Sequence, residues 1–118
     1  MNKRSVGNEG EDRAYDFLLK NKITVLERNY RFHKTGEIDL IGKDGEYLVF
    51  FEVKYRAFSN KGTASEAVTF AKQKQISNVA VSYLYQKRYP MDSPVRFDVI
   101  AIDGDKINWY KNAFDFVG

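Results

Sequence analysis

The chain contains no cysteine, and its one histidine is His33. Disulfides, thiolate zinc sites and a cysteine nucleophile are thereby excluded, as is any site that needs two histidines. A metal held by this chain must rest mainly on carboxylate oxygens, which favours Mg²⁺ or Mn²⁺ over zinc. No run approaches the ~18 consecutive apolar residues that span a bilayer. The N-terminal residues Met1 to Val6 are basic but lack the apolar stretch of a secretory signal. A cytoplasmic protein with no membrane partner is expected. P-loop, GxGxxG and nucleophile-elbow patterns are also missing. Serine–histidine catalysis would have to recruit His33, and no serine carries a supporting motif.

What is present describes an ordinary globular protein. The 118 residues are 43% hydrophobic and 30% charged, which is enough to bury a core and argues against disorder. One domain spanning residues 1–118 is expected. A net charge of +3 suits a nucleic-acid partner without establishing one.

Periodicity orders the elements. Residues 8–21 form an amphipathic helix with Glu11, Ala14, Tyr15 and Leu18 on one face. A strand follows over 23–32, then a hairpin: Glu37 to Ile41, a turn at Asp44-Gly45, and a return strand from Tyr47 to Tyr55. The return strand is apolar on both faces before Glu52, so it belongs in the middle of a covered sheet. Thr63 and Glu66 stand in the capping-box relation, opening a helical stretch that reaches about Lys87 with a break near Thr69. Its apolar stripe is Ile76, Val79, Ala80, Tyr83 and Leu84. Pro90 and Pro94 bracket a loop. Val95 to Ile102 makes another central strand, and Asp103-Gly104 turns the chain into a last strand over 106–111. The order α-β-β-β-α-β-β predicts an α/β sandwich around a mixed five-stranded sheet.

Three charges interrupt strands otherwise built for burial. Glu52 and Lys54 share a face of one strand, because side chains at i and i+2 point alike. Asp39 lies on the partner strand, where a bend or register offset brings it beside Glu52. Two carboxylates about 4 Å apart would repel by roughly 4 kcal/mol at an effective dielectric of ~20. A divalent cation turns that repulsion into attraction. The competing reading of an isolated Glu-x-Lys is a solvated strand edge with cross-strand ion pairs; Asp39 across the hairpin and the buried Phe50-Phe51-Val53 setting tip the balance toward a site.

Glu37-Ile-Asp39, a gap, and Glu52-Val-Lys54 together resemble the core of the PD-(D/E)xK nucleases, which include restriction enzymes and archaeal Holliday-junction resolvases. The match is closer to the bacterial YraN family, a resolvase-like branch of that superfamily. It extends over Gly7-x-x-Gly10-Glu11, Arg28-Asn29-Tyr30-Arg31, Gly36 to Ile41, Val49 to Lys54, Ala67-Val68, Lys72-Gln73 and Arg96 to Ile100. Ile38, where the superfamily's name has proline, is a departure of little weight because that proline is not a ligand. The resemblance implies a restriction-endonuclease-like three-layer sandwich. It implies that Asp39 and Glu52 are metal ligands with the Val53 carbonyl as a third, and that Lys54 orients or deprotonates the attacking water or stabilises charge on the phosphate.

The remaining candidates carry paired readings. Glu11 matches the first-helix acid of resolvase-like nucleases and sits on the inward face; equally, it is a first-turn acid favoured by the helix dipole. Glu37 shares the parity of Asp39 and is either a further metal ligand or a surface acid, with the surface reading slightly preferred. Lys72, one turn before Ile76, can reach the site, and helix-borne lysines in related nucleases contact the scissile phosphate; the alternative is a snorkelling lysine. Gln75 is weighed against such a role, Asp98 is read as a structural partner of a nearby cation, and His33 as a surface strand residue. Arg28, Arg31, Lys34, Arg56 and Lys61 cluster near the site as candidate phosphate contacts, or form a solvated basic face.

The leading expectation is therefore a metal-dependent endonuclease that hydrolyses DNA phosphodiester bonds, with branched or otherwise structured DNA as a substrate class. The alternative is a non-catalytic nucleic-acid-binding module on a nuclease-like fold. Junction resolution would require two active sites and hence a homodimer, for which residues 113–117 offer an interface or, equally, a tail packed back on the core.

Overall fold

The computed structural model describes residues 6–56 and 68–118. Helix α1 (Val6–Lys20) is followed by strands β1 (Thr24–Phe32), β2 (Gly36–Asp44) and β3 (Tyr47–Arg56). Helix α2 (Phe70–Gln86) and strands β4 (Val95–Asp103) and β5 (Lys106–Phe114) complete the fold. One mixed sheet runs in the order β1-β2-β3-β4-β5. Its neighbours are antiparallel except β3 and β4. That pair is parallel because α2 carries the chain back to the end of the sheet where β3 began.

Strand patterning decides where the helices lie. Leu48, Val49, Phe50 and Phe51 of β3 are each no more than 1% exposed, so both faces of this central strand need a cover. Ala14 and Leu18 of α1 pack over Leu40, Val49, Phe51, Ile100 and Ile102 on one face. Ile76, Val79, Ala80, Tyr83 and Leu84 of α2 pack over Ile38, Ile41, Leu48, Phe50 and Phe97 on the other. The three-layer α/β sandwich expected from the sequence is the observed architecture. Each fully buried Leu, Ile or Phe contributes roughly 1.5–3 kcal/mol, and the two cores share the sheet between them.

Both helices stop by the same device. At the end of α1, Lys22 takes φ 66°; its N–H donates to Leu19 O (3.1 Å), and that of Ile23 to Leu18 O (3.0 Å). At the end of α2, Arg88 takes φ 62°, and the N–H groups of Arg88 and Tyr89 donate to Tyr85 O and Leu84 O. These are Schellman caps, with the next residue in each case turned onto the core. α2 begins at Thr69, an extended residue (φ −64°, ψ 160°) whose side chain accepts from the Lys72 N–H at 3.2 Å. The capping box at Thr63 and Glu66 lies outside the described residues; within them, the break near Thr69 is a true helix start.

At the far side of the sheet a buried acid joins β4 to β5. Asp98 is fully buried and accepts from Arg96 Nε (2.9 Å), an Arg96 terminal nitrogen (2.8 Å), Trp109 Nε1 (2.8 Å) and the Asn112 N–H (2.9 Å). Arg96 also reaches Asp44 at 2.9 Å. Asp98 is thus a structural partner of a cation, as its sequence setting suggested. The last strand runs three residues beyond its expected end, and the tail returns to the core: Phe114 stacks on Phe97 (centroids 5.2 Å apart), and the Val117 N–H donates to Ser77 Oγ (3.0 Å).

Candidate metal and phosphate site

The β2–β3 ladder begins at its tight turn, where Gly45 takes φ 62°, and its last backbone pair is Leu40 with Phe51. One step further along the register, Asp39 and Glu52 stand opposite each other. In place of a backbone carbonyl, the Asp39 carboxylate accepts the Val53 N–H, at 2.8 Å. β2 bends here. Ile38 and Ile41 both enter the α2-side core, while Leu40 enters the α1-side core, a pattern that strict alternation cannot produce. Asp39 occupies the bend, with its carboxylate in the seam between strands.

β1 changes faces at the same level. Arg28 lies against α1, paired with Asp12 and stacked 4.6 Å over the Tyr15 ring. Tyr30 instead joins the α2-side core and donates to Gln86 Oε1 at 2.7 Å. Between them Asn29 takes φ 54°, and it lies across from Asp39, since Arg28 pairs with Leu40 and Tyr30 with Ile38.

Glu52 is 7% exposed. Burial pushes its carboxyl up to about 7; the Asp39 charge pushes the same way, and Lys72 and Lys54 oppose it. Asp39 is itself raised, chiefly by burial, against the pull of the Val53 N–H and of Lys72. Glu11, reaching down from α1, is raised by partial burial and then by Asp39; a hydrogen bond from Asn29 works in the other direction. Glu11 of α1, Glu52 of β3 and Lys72 of α2 are therefore within electrostatic range of Asp39.

Among the described residues, no group of three or more His, Cys, Asp and Glu side chains is arranged to hold a metal ion. The chain's own donors at this point are the Asp39 and Glu52 carboxyls, two hard oxygen donors that burial raises above the usual carboxylate range. That donor set fits Mg²⁺ or Mn²⁺. Such ions take one or two protein carboxylates and fill the rest of an octahedral shell with water, main-chain oxygen or substrate phosphate.

The other candidates divide by location. Glu37 pairs with Arg31 at 3.1 Å and is close enough for its charge to raise both Asp39 and Glu11. Lys34 is exposed in the β1–β2 turn. His33 lies in that same turn rather than in a strand, at φ 49°, edge-on to Phe32. Gln75 covers Gly36, where a Cβ would come within 2.6 Å of its side chain, so its observed partner is the start of β2. Arg56 ends β3, its side chain outside the described set, and Lys61 lies outside the described residues altogether. Sequence reasoning overlooked Asn29 as a member of the site. The available signal was an asparagine inside a strand, a residue type that tolerates positive φ.

A family model described as "Uncharacterised protein family UPF0102" matches residues 10–102. The chain belongs to the UPF0102 family. This is the YraN grouping that the sequence resembled, and the matched span includes Glu11, Asp39, Glu52, Lys54 and Lys72. UPF0102 relatives align over nearly the whole chain. One from Herminiimonas arsenicoxydans is 46% identical over 93% of this chain and 86% of its own length. One from Lachnoclostridium phytofermentans is 43% identical over 100% and 99%, and one from Fusobacterium nucleatum is 41% identical over 95% and 92%.

Proposed function

We propose that this UPF0102 protein is a divalent-metal-dependent nuclease that hydrolyses phosphodiester bonds in DNA, with branched or structured DNA as its substrate class. The observation that carries this reading is the meeting of Asp39 and Glu52 at the end of the β2–β3 ladder, under the charges of Lys54 and Lys72. Two acids facing each other in a buried seam weaken a fold unless a cation joins them. A protein that only bound nucleic acid would gain nothing from carboxylates that repel phosphate.

Asp39 and Glu52 would hold Mg²⁺ or Mn²⁺, with the Val53 carbonyl as a further oxygen. The bound ion supplies Lewis acidity and lowers the pKa of a coordinated water. Lys54, on the same face of β3 as Glu52, orients that water or meets the charge gathering on the phosphate. Lys72 approaches from α2 and holds a non-bridging oxygen. Arg31 and Lys34 extend the positive surface along the β1–β2 turn for salt-sensitive backbone contacts. Junction resolution by this site needs two copies acting together, so a homodimer belongs to the same proposal.

The test is a cleavage screen on linear, nicked and four-way DNA with Mg²⁺ and with Mn²⁺. Cleavage with either metal, abolished in Glu52→Ala and Lys54→Ala, is the expected result. A wild type inert on every substrate that nevertheless binds DNA would favour the non-catalytic module and overturn the enzymatic reading.

A further inference from the structure

Apolar surface is left uncovered where α2 passes the β1–β2 turn. Tyr85, near the end of α2, is 77% exposed, and Met91, just beyond the helix, is 56% exposed. With Val81 of α2 and with Phe32 and His33 from the end of β1, they line a cleft of about 420 Å³. Its surface is almost wholly apolar. Contiguous exposed surface of this kind marks a binding face, and the volume is that of a small-ligand site. Gln86 also lines the cleft. The Tyr30 hydroxyl donates to Gln86 Oε1 at 2.7 Å, which leaves the Gln86 amide N–H groups to donate to a ligand's carbonyl or ring nitrogen.

Charge decides between occupants. The bordering segments are Arg31-Phe-His-Lys34 and Gln86-Lys87-Arg88. Arg31 and Lys87 are paired with Glu37 and Glu27. Lys34 and Arg88 are exposed and make no ion pair among the described residues; Asp92, next to Met91, is the exposed acid on this side. A second copy docked cleft to cleft would bring the two cations against their own counterparts. A nucleotide strand instead lays a base on the rings and its phosphates on the cations. Val81 stands nine residues after Lys72 on α2, which is about 14 Å of helix. A stacked strand rises about 3.4 Å per nucleotide, so about four nucleotides link the two places.

We propose that this cleft holds an unpaired base of a DNA strand, stacked on Tyr85 and Phe32, about four nucleotides from the phosphate at the acid pair. The proposal rests on the reading above that the partner is structured DNA, and adds the feature that tells an open strand from a duplex. Every base has a flat face, so the cleft selects for an unpaired base rather than for a sequence.

Fluorescence anisotropy in EDTA, so that no strand is cut, tests this on a labelled duplex and on the same duplex with a single-stranded gap. Wild type, Tyr85→Ala and Tyr85→Phe are compared, with thermal unfolding as a check that each folds. The gapped DNA should bind more tightly to wild type. Tyr85→Ala should weaken that binding about fivefold or more and leave the duplex unchanged, and Tyr85→Phe should match wild type. An abasic nucleotide stepped through the gap should reproduce the loss at one position, where Tyr85→Ala costs nothing further. Equal affinity of Tyr85→Ala and wild type for gapped DNA, or an equal loss on both substrates, overturns the proposal. So does a wild-type dimer in sedimentation that Tyr85→Ala splits, which assigns the cleft to a second copy. Cleavage with Mn²⁺, scored separately, keeps the two readings apart. Gap binding through Tyr85 without cleavage would sink the nuclease and keep the cleft; cleavage with no dependence of gap binding on Tyr85 would do the reverse. A wild type that neither binds nor cuts DNA overturns both.

Discussion

Glu52 makes the clearest statement at the scale of a single residue. Its carboxyl is pushed from 4.5 to about 7 in the folded chain, so between those values the folded state holds a proton that the unfolded state has released. Stability must then fall as pH rises through that window and level off above it. Asp39 and Glu11 are displaced in the same direction and add to the trend. The shift of Glu52 alone corresponds to roughly 3 kcal/mol. Urea unfolding of metal-free protein should therefore give a higher midpoint at pH 5 than at pH 8, and Glu52→Gln should flatten the difference. A midpoint independent of pH in the wild type would show that Glu52 ionises normally. Asp98 is the contrasting acid, because its partners are fixed groups: Arg96, Trp109 and the Asn112 N–H. Asp98→Ala leaves Arg96 largely buried without its main counter-charge. A loss of about 3–5 kcal/mol in chemical denaturation is expected.

At the scale of the element, α2 matters because it carries Lys72 to the strands. Its first turn is pinned by Thr69, and Thr69→Ala should cost about 1 kcal/mol of stability. The same change loosens the turn on which Lys72 stands, so cleavage should fall further than that loss explains; equal rates for folded variant and wild type would separate cap from site. The elements themselves were legible from periodicity, and so was the parallel step between β3 and β4, since a helix intervenes between two apolar strands. Thr69 was harder to see: Thr63 and Glu66 show the full capping signature, whereas Thr69 is followed three positions on by lysine. The gathering of Asp39 with Glu52 followed from hairpin register, but the joint change of face at Asn29 and Asp39 did not. Alternation presumes a straight strand, and nothing in the composition of β1 announces where it bends.

At the scale of the whole molecule, Asp39 and Glu52 come from different strands and are brought together only by folding. The unfolded chain has no equivalent site, so an ion that binds here must stabilise the native state. At a Mn²⁺ concentration about a hundredfold above the dissociation constant, the gain is roughly 2.7 kcal/mol. Thermal unfolding at pH 8 should shift upward with Mn²⁺ and return with chelator, and Asp39→Ala should not respond. No helix among the described residues is long and apolar enough to cross a membrane, and the two helices are spent on covering the two faces of the sheet.

β1 lies at the rim of that sheet, and a straight rim strand is a rail onto which foreign chains can add. The kink at Asn29 breaks the run of outward-facing amides and carbonyls in its middle. Straightening it with a β-branched residue would do more than disturb the carboxylates; it would leave an uninterrupted edge and invite polymerisation. The bend that turns Asp39 into the seam also interrupts the free edge of the sheet.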